Sequence, residues 1–334
     1  MKVLVLGAGA WGTAVASHIA QRHATVLWGR DPHVVAAING QHENPRYLPG
    51  LKLSEGLQAT TSLSDALYQT NSPEDLWVFG APMSALRSNL TDVMAHAEGR
   101  QWPAFCWLCK GFEVGSGKMP HQVVQDVLPN AHGGALTGPS FAAEVAKGLP
   151  FALVMAGGSA ATQQTVVEAM HHSACRVYVS EDVVGAEVAG AVKNIMAVAT
   201  GICDGLGLGL NARAALITRG MAEIRRLATA LGGQTETLTG LAGFGDLILT
   251  CTGDLSRNRR VGTLLASGKN LDQILLELGQ VAEGVKCAPV VKELARELGI
   301  DMPVTETVCD VLFSGVSAQS AVLKLLARDP RREA

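Results

Sequence analysis

The sequence predicts an α/β protein in two parts: an N-terminal doubly wound, mostly parallel sheet, then an all-α C-terminal part. Three observations carry this. Short aliphatic and β-branched runs alternate with helical patterns up to about residue 180. Helical periodicity alone continues after it. Residues 2–31 also read strand, glycine-rich turn, helix, strand in close order. Alternation of this kind argues for parallel strands with helices packed on both faces.

The first strand is the run from Val3 to Leu6, which stops at Gly7. Gly9 and Gly12 complete G-x-G-x-x-G, and an apolar-periodic helix follows through Ile19. A second strand, 24–28, ends at Gly29-Arg30-Asp31. In this context Gly7 makes a tight turn, Gly9 admits a pyrophosphate to the backbone, and Gly12 lets the helix pack on the strand. The pyrophosphate would sit on the helix N-terminus, where free N–H groups and the dipole favour an anion. A secretory signal is the competing reading of the uncharged stretch 3–21, but glycines and polar residues interrupt it too early. Further strands are expected at 76–81, 104–108, 134–137, 151–156 and 176–179, with helices at 82–96 and 119–127 among them. Beyond Ser180, helices are expected at 187–203, 212–231, 257–267, 271–278, 285–298, 304–313 and 318–327. The chain therefore divides into a nucleotide-binding Rossmann part, 1–180, and a helical part, 181–334, with a polar and frayed tail from 328.

Composition narrows the function. The 334 residues are 48% hydrophobic and 17% charged, enough for a sizeable core. A net charge of −3 gives no support to a nucleic-acid partner. The uncharged run 148–167 is broken by Pro150 and Gly157-Gly158 and predicts no membrane span. Seven cysteines, an odd number scattered through apolar segments, suit reduced thiols in the cytoplasm. Cys106 and Cys109 form C-x-x-C in a strand-like run, where residues three apart face opposite sides, so core packing is expected and no metal site.

Five features carry chemistry. Arg30 at the end of the second strand suits a 2′-phosphate, and Asp31 beside it suits a ribose hydroxyl, so NADP is expected with NAD also accepted. An ordinary surface arginine is the alternative. Lys193 is the one charge in the otherwise apolar helix 188–203. Burial disfavours an ammonium and turns lysines into acid–base groups, while a snorkelling lysine fits the same pattern. Asn194 beside it suits a substrate contact or a helix–helix contact. Lys110 follows a strand end, where open parallel sheets bind ligands, and an ordinary loop lysine is the alternative. Ser140, in Gly138-Pro139-Ser140-Phe141, is expected to cap a helix, with donation to a bound oxygen as the second possibility. Glycines at 240, 243 and 245 leave a backbone that something can approach, and Asp246 follows. Ser256 reads as an N-cap with Arg257, Asn258, Arg259 and Arg260 behind it. Cations at a helix N-terminus run against the dipole and ask for an anion, phosphate by preference over a plain basic patch. Replacing Lys193 by methionine is expected to leave the fold intact, because it relieves desolvation of the ammonium.

Six segments together resemble a known family. They are GAGAWGTA at 7–14, CKGFE at 109–113, LTGPSFAAEVAKGLP at 136–150, AVKNIMAVATG at 191–201, GLAGFGDLILTCTGDLSRNRRVG at 240–262 and VAEGVKCAP at 281–289. The chain is similar in this respect to bacterial NAD(P)-dependent glycerol-3-phosphate dehydrogenases over nearly its whole length. The resemblance implies reversible hydride transfer between NADPH/NADP or NADH/NAD and dihydroxyacetone phosphate, giving sn-glycerol 3-phosphate for phospholipid synthesis. It implies Lys193 as acid–base, with Lys110 beside it stabilising charge. Lys110, Gly138, Ser140, Lys193, Asp246, Ser256, Arg257 and Asn258 would contact substrate. Gly7, Gly9, Ala10, Trp11, Gly12, Arg30, Lys110, Ala142, Arg257, Val281 and Glu283 would contact the cofactor. A cytoplasmic homodimer joined through the helical part is also implied. Another two-part dehydrogenase, of 6-phosphogluconate or a hydroxy acid, and a nucleotide-sensing protein without catalysis are the competing functions.

Overall fold

The computed structural model describes residues 1–96, 102–172, 174–279 and 282–326; the tail expected to fray and residue 327 of the last expected helix lie outside them. Two compact units make up the chain: Met1–Glu113 with Lys118–Glu187, and Val114–Gly117 with Val188–Ala334. The division falls inside a helix, after the border expected from the change of pattern at 180.

The first unit runs β1 (Lys2–Leu6), α1 (Ala10–Ile19), β2 (Ala24–Trp28), α2 (Pro32–Gln41), β3 (Glu43–Asn44), β4 (Leu48–Lys52), β5 (Leu57–Thr60) and α3 (Leu63–Gln69). It continues through β6 (Leu76–Phe79), α4 (Met83–His96), β7 (Ala104–Trp107), α5 (Pro120–Val127), β8 (Gly134–Thr137), α6 (Ala142–Ala146), β9 (Phe151–Gly157), α7 (Ala160–Met170) and β10 (Cys175–Ser180). Eight strands form one sheet in the order β10-β9-β8-β7-β6-β1-β2-β5. All neighbours pair parallel except β8 with β9. The strand order reverses between β1 and β6, which places a topological switch point there.

Side-chain alternation builds a core on each face. Val3 and Val5 join α1, α2 and α7 residues such as Val15, Ile38 and Val166. Leu4 and Leu6 join α3, α4 and α5 residues such as Leu67, Leu90 and Val123. The period of 2 in β1 is thus sufficient to cover both sides. Cys106 lies in the first cluster and Cys109 in the second, so the C-x-x-C thiols are on opposite faces. Three strands have no clear sequence signal. β5 is only four residues long, and β4 holds Pro49 and Gly50, which weaken any strand pattern.

The helix α8 (Val183–Gly205) begins against the first unit. Buried Glu187 accepts from Trp107 Nε1 at 2.9 Å and from the His121 backbone at 3.0 Å. By length and composition α8 is apolar enough to cross a membrane, but 89% of its apolar window is buried, as in a core helix. The second unit continues with α9 (Gly209–Ala230), α10 (Thr235–Thr239), a π-helical turn (Leu241–Gly245), α11 (Asp246–Thr252), α12 (Arg257–Ala266), α13 (Leu271–Leu278), α14 (Glu283–Glu297), α15 (Pro303–Phe313) and α16 (Ala318–Leu326). Glu223 of α9 caps α15 from outside, accepting from the Val304 and Thr305 amides at 2.6 and 3.1 Å. Burial pushes its carboxyl up to about 7.

Candidate active site

The nucleotide-binding end of the first unit is built by close backbone approaches. Gly7 has φ +128°, a conformation that disfavours a side chain, and a Cβ there would lie 2.8 Å from the Ala81 nitrogen. A Cβ on Gly12 would lie 2.1 Å from the Gly7 oxygen, so the helix can approach the turn only with glycine. Gly9 differs: a Cβ there meets nothing within 4 Å. Packing inside the chain does not account for that glycine, whereas a pyrophosphate lying against the turn does. The helix begins at Gly9 without a side-chain cap and without an acidic residue in its first turn, leaving Ala10 and Trp11 at an end suited to an anion. These residues fit a dinucleotide.

The strand ends then place the other first-unit candidates. Since β5, β2, β1, β6, β7 and β8 are mutually parallel, their carboxyl ends share one edge. Gly7 to Gly12 follow β1, exposed Arg30 follows β2, half-buried Lys110 follows β7, and Gly138 and Ser140 follow β8. Ligands bind at this edge in open α/β sheets. The capping role expected of Ser140 is not found. The N-cap of α6 is Phe141, with no side-chain bond, and the Ser140 hydroxyl donates to the Gly138 carbonyl at 3.1 Å. Ala142 is the first residue of that helix. Val281 lies outside the described residues.

In the second unit Lys193 does not snorkel. It is 6% exposed, and its ammonium donates to the Asp246 carboxylate and to the Thr250 hydroxyl, the latter at 3.0 Å. Asp246 is itself 1% exposed. Asp246 and Thr250 are one turn apart on α11, so both present to one point. The π-helical turn before α11 sets its entry. A Cβ on Gly243 would lie 2.1 Å from the Leu238 oxygen, so the group that approaches this glycine is the chain's own carbonyl. The carboxylate and the hydroxyl together give the buried amine polar partners inside the protein. The sequence alone does not single out Thr250. A threonine four residues after Asp246 on a helix was the signal available.

Asn194 resolves as a helix–helix contact. Asn258 Nδ2 donates to Asn194 Oδ1 at 2.9 Å, and Asn258 Oδ1 accepts the Gly284 amide at 3.0 Å. This ties α8, α12 and α14 together beside Lys193. Glycines make the approach possible: a Cβ on Gly262 would lie 2.0 Å from the Val198 oxygen.

Ser256 caps α12, as its position suggested, accepting from the Arg259 amide at 3.3 Å. The arginine group is more divided than the sequence indicates. Arg259 pairs with Asp204 at 2.7 Å and Asp254 at 2.9 Å, and Arg260 with Glu277 at 3.2 Å. Arg259 and Arg260 therefore have protein carboxylates for their anions. Arg257, at the first position of α12, is solvent-accessible, yet enough protein surrounds its head that desolvation lowers its pKa, opposed by Glu283. Burial raises the carboxyl of Glu283, opposed by Lys286 and Arg257. Among the described residues no group of three His, Cys, Asp or Glu side chains could hold a metal ion.

A glycine-rich turn at the switch point of a parallel sheet, with a buried lysine–carboxylate couple on separate helices, defines an oxidoreductase of nicotinamide dinucleotides. Family models for the NAD-dependent glycerol-3-phosphate dehydrogenase N-terminus and C-terminus match residues 2–163 and 182–323. The chain belongs to that family. It is 54% identical over 334 residues, all of both chains, to glycerol-3-phosphate dehydrogenase [NAD(P)+] of Burkholderia lata. A crystal structure of glycerol-3-phosphate dehydrogenase from Coxiella burnetii is 38% identical, with TM-score 0.92 over 98% of this chain and 99% of that one. The enzyme of Saccharomyces cerevisiae is 29% identical, with TM-score 0.80 over 96% and 98%.

Proposed function

We propose that the chain interconverts dihydroxyacetone phosphate and sn-glycerol 3-phosphate with NADPH/NADP or NADH/NAD, supplying the glycerol phosphate of phospholipids. The observation that carries this reading is the Lys193 ammonium, buried against Asp246 and Thr250 within the matched C-terminal region.

The nicotinamide, when bound, supplies or accepts the hydride. The chain does the rest. Gly7, Gly9, Ala10, Trp11 and Gly12 receive the dinucleotide pyrophosphate, Arg30 its adenosine end, and Ala142, Val281 and Glu283 complete its contacts. In reduction Lys193 holds a proton at Nζ and gives it to the carbonyl oxygen as charge develops there. Asp246 and Thr250 aim the amine. Lys110 opposes the same developing charge. Arg257 at the start of α12, with Ser256 and Asn258, binds the phosphate and so positions the carbonyl, while Gly138 and Ser140 offer backbone and hydroxyl contacts. In oxidation Lys193 is the base and acts as the neutral amine. An assay of NADPH and NADH oxidation with dihydroxyacetone phosphate tests the reading, and activity on a hydroxy acid alone would overturn it.

A cytoplasmic homodimer completes the proposal. All seven cysteines are buried. In the second unit Leu210, Leu255 and Phe313 are 70%, 52% and 52% exposed, apolar surface that a partner would cover. Light scattering on the purified protein tests it.

A further inference from the structure

The end of β2 carries both signals that normally oppose each other, Arg30 for a 2′-phosphate and Asp31 for a 2′-hydroxyl. The structure shows how the aspartate is occupied. Asp31 caps α2, accepting from the His33 amide at 3.0 Å. Its second oxygen accepts from Arg46 at 2.9 Å. Arg46 stands at the turn between β3 and β4, far from β2 in sequence. That turn is not loose. Asn44 is fully buried and donates to the Ala8 carbonyl at 3.1 Å, inside the glycine-rich turn, and to the Thr13 hydroxyl of α1 at 2.9 Å. Asn44 Oδ1 also accepts the Tyr47 amide at 3.2 Å, and the Arg46 guanidinium lies 5.3 Å from the Tyr47 ring centre. The short β3–β4 hairpin is thus pinned to the nucleotide turn and delivers one arginine to one carboxylate.

We propose that Arg46 is a determinant of cofactor choice: it neutralises and holds Asp31, so that a 2′-phosphate can lie against Arg30 without meeting an unopposed carboxylate. This rests on the dinucleotide site of the proposed function and names a specificity residue within it. A solvent-exposed ion pair of this kind contributes little to stability, so the pairing has scope to serve binding instead. The His33 amide and Arg46 both hold the Asp31 carboxyl below its usual range, so it is an anion at neutral pH and needs a counter-charge there.

The test measures binding of adenosine 2′,5′-bisphosphate and adenosine 5′-monophosphate by calorimetry, with no turnover involved. Arg46→Ala should weaken the bisphosphate about five-fold or more, the Coulomb cost of an unscreened carboxylate near a dianion, and leave the monophosphate within about two-fold. Adding Asp31→Asn, which keeps a good N-cap, should restore the bisphosphate affinity. Arg30→Ala should weaken the bisphosphate in a way that Asp31→Asn does not restore. An unchanged ratio in Arg46→Ala, or a loss that persists after Asp31→Asn, overturns the proposal. A parent protein that binds neither nucleotide overturns the dinucleotide site itself, and this inference with it.

Discussion

Lys193→Met separates packing from chemistry. From sequence alone the variant should fold as the parent does. The structure reverses that expectation, because the ammonium faces a carboxylate that is 1% exposed. Methionine fills the volume but removes the opposite charge from a buried anion. Breaking a buried pair from one side costs about 3–5 kcal/mol. Protonation of Asp246 offers relief. In the variant its folded pKa would rise above the unfolded value, so the folded state would bind the extra proton and gain stability as pH falls. The recovery is at most about 1.4 kcal/mol per pH unit, ending once the carboxyl is protonated.

Denaturant unfolding of the parent, Lys193→Met, Asp246→Asn and the double variant, near pH 7 and again near pH 5.5, measures this. Lys193→Met should lose about 3 kcal/mol or more at neutral pH and less in mild acid, and Asp246→Asn in the same chain should return most of it. Stability within about 0.5 kcal/mol of the parent for Lys193→Met at neutral pH, or no recovery in the double variant, would refute the pairing argument.

Arg257→Ala should weaken binding of dihydroxyacetone phosphate by about 1.5–3 kcal/mol, whereas Arg259→Ala, which loses Asp204 and Asp254, should act mainly on the melting temperature; equal effects on substrate binding would place the phosphate elsewhere. Gly243→Ala should destabilise by more than about 2 kcal/mol and lower kcat, since its Cβ would strike the Leu238 carbonyl and shift α11 with Asp246; a melting curve like the parent's would contradict this. Burial, with His18, Arg22 and His23 nearby, lowers His172 to about 4, below the ordinary 6.5. The unfolded chain then takes up a proton first, so stability should fall by up to about 3 kcal/mol as pH drops from 6.5 to 4, and His172→Phe should flatten that slope of unfolding free energy against pH.

Much of this was legible in the sequence, for local reasons. The Gly7–Gly12 turn and its flanking strands are contiguous, and Lys193 stands out because one charge in an apolar helix is a local anomaly. What was hidden depends on packing between distant segments. Asp246 faces Lys193 because the π-helical turn and Gly243 set the direction of α11. Arg259 and Arg260 read as free cations because Asp204 and Glu277 lie on other helices. Ser140 read as a cap because serine often is one, yet the chain continues one residue further before α6 starts. Arg46 has no local signal, since a two-residue strand carries it to Asp31.

The central claim is that Lys193 supplies the proton during hydride transfer to dihydroxyacetone phosphate. The double variant Lys193→Met/Asp246→Asn tests it most directly, because it removes the proton without stranding a buried charge. The measurement is steady-state NADPH oxidation with dihydroxyacetone phosphate, beside NADPH binding by fluorescence. The account expects an active parent and a folded variant that binds NADPH like the parent but turns over about 10²–10⁴-fold more slowly. A folded, NADPH-binding variant within a few-fold of the parent rate would contradict it.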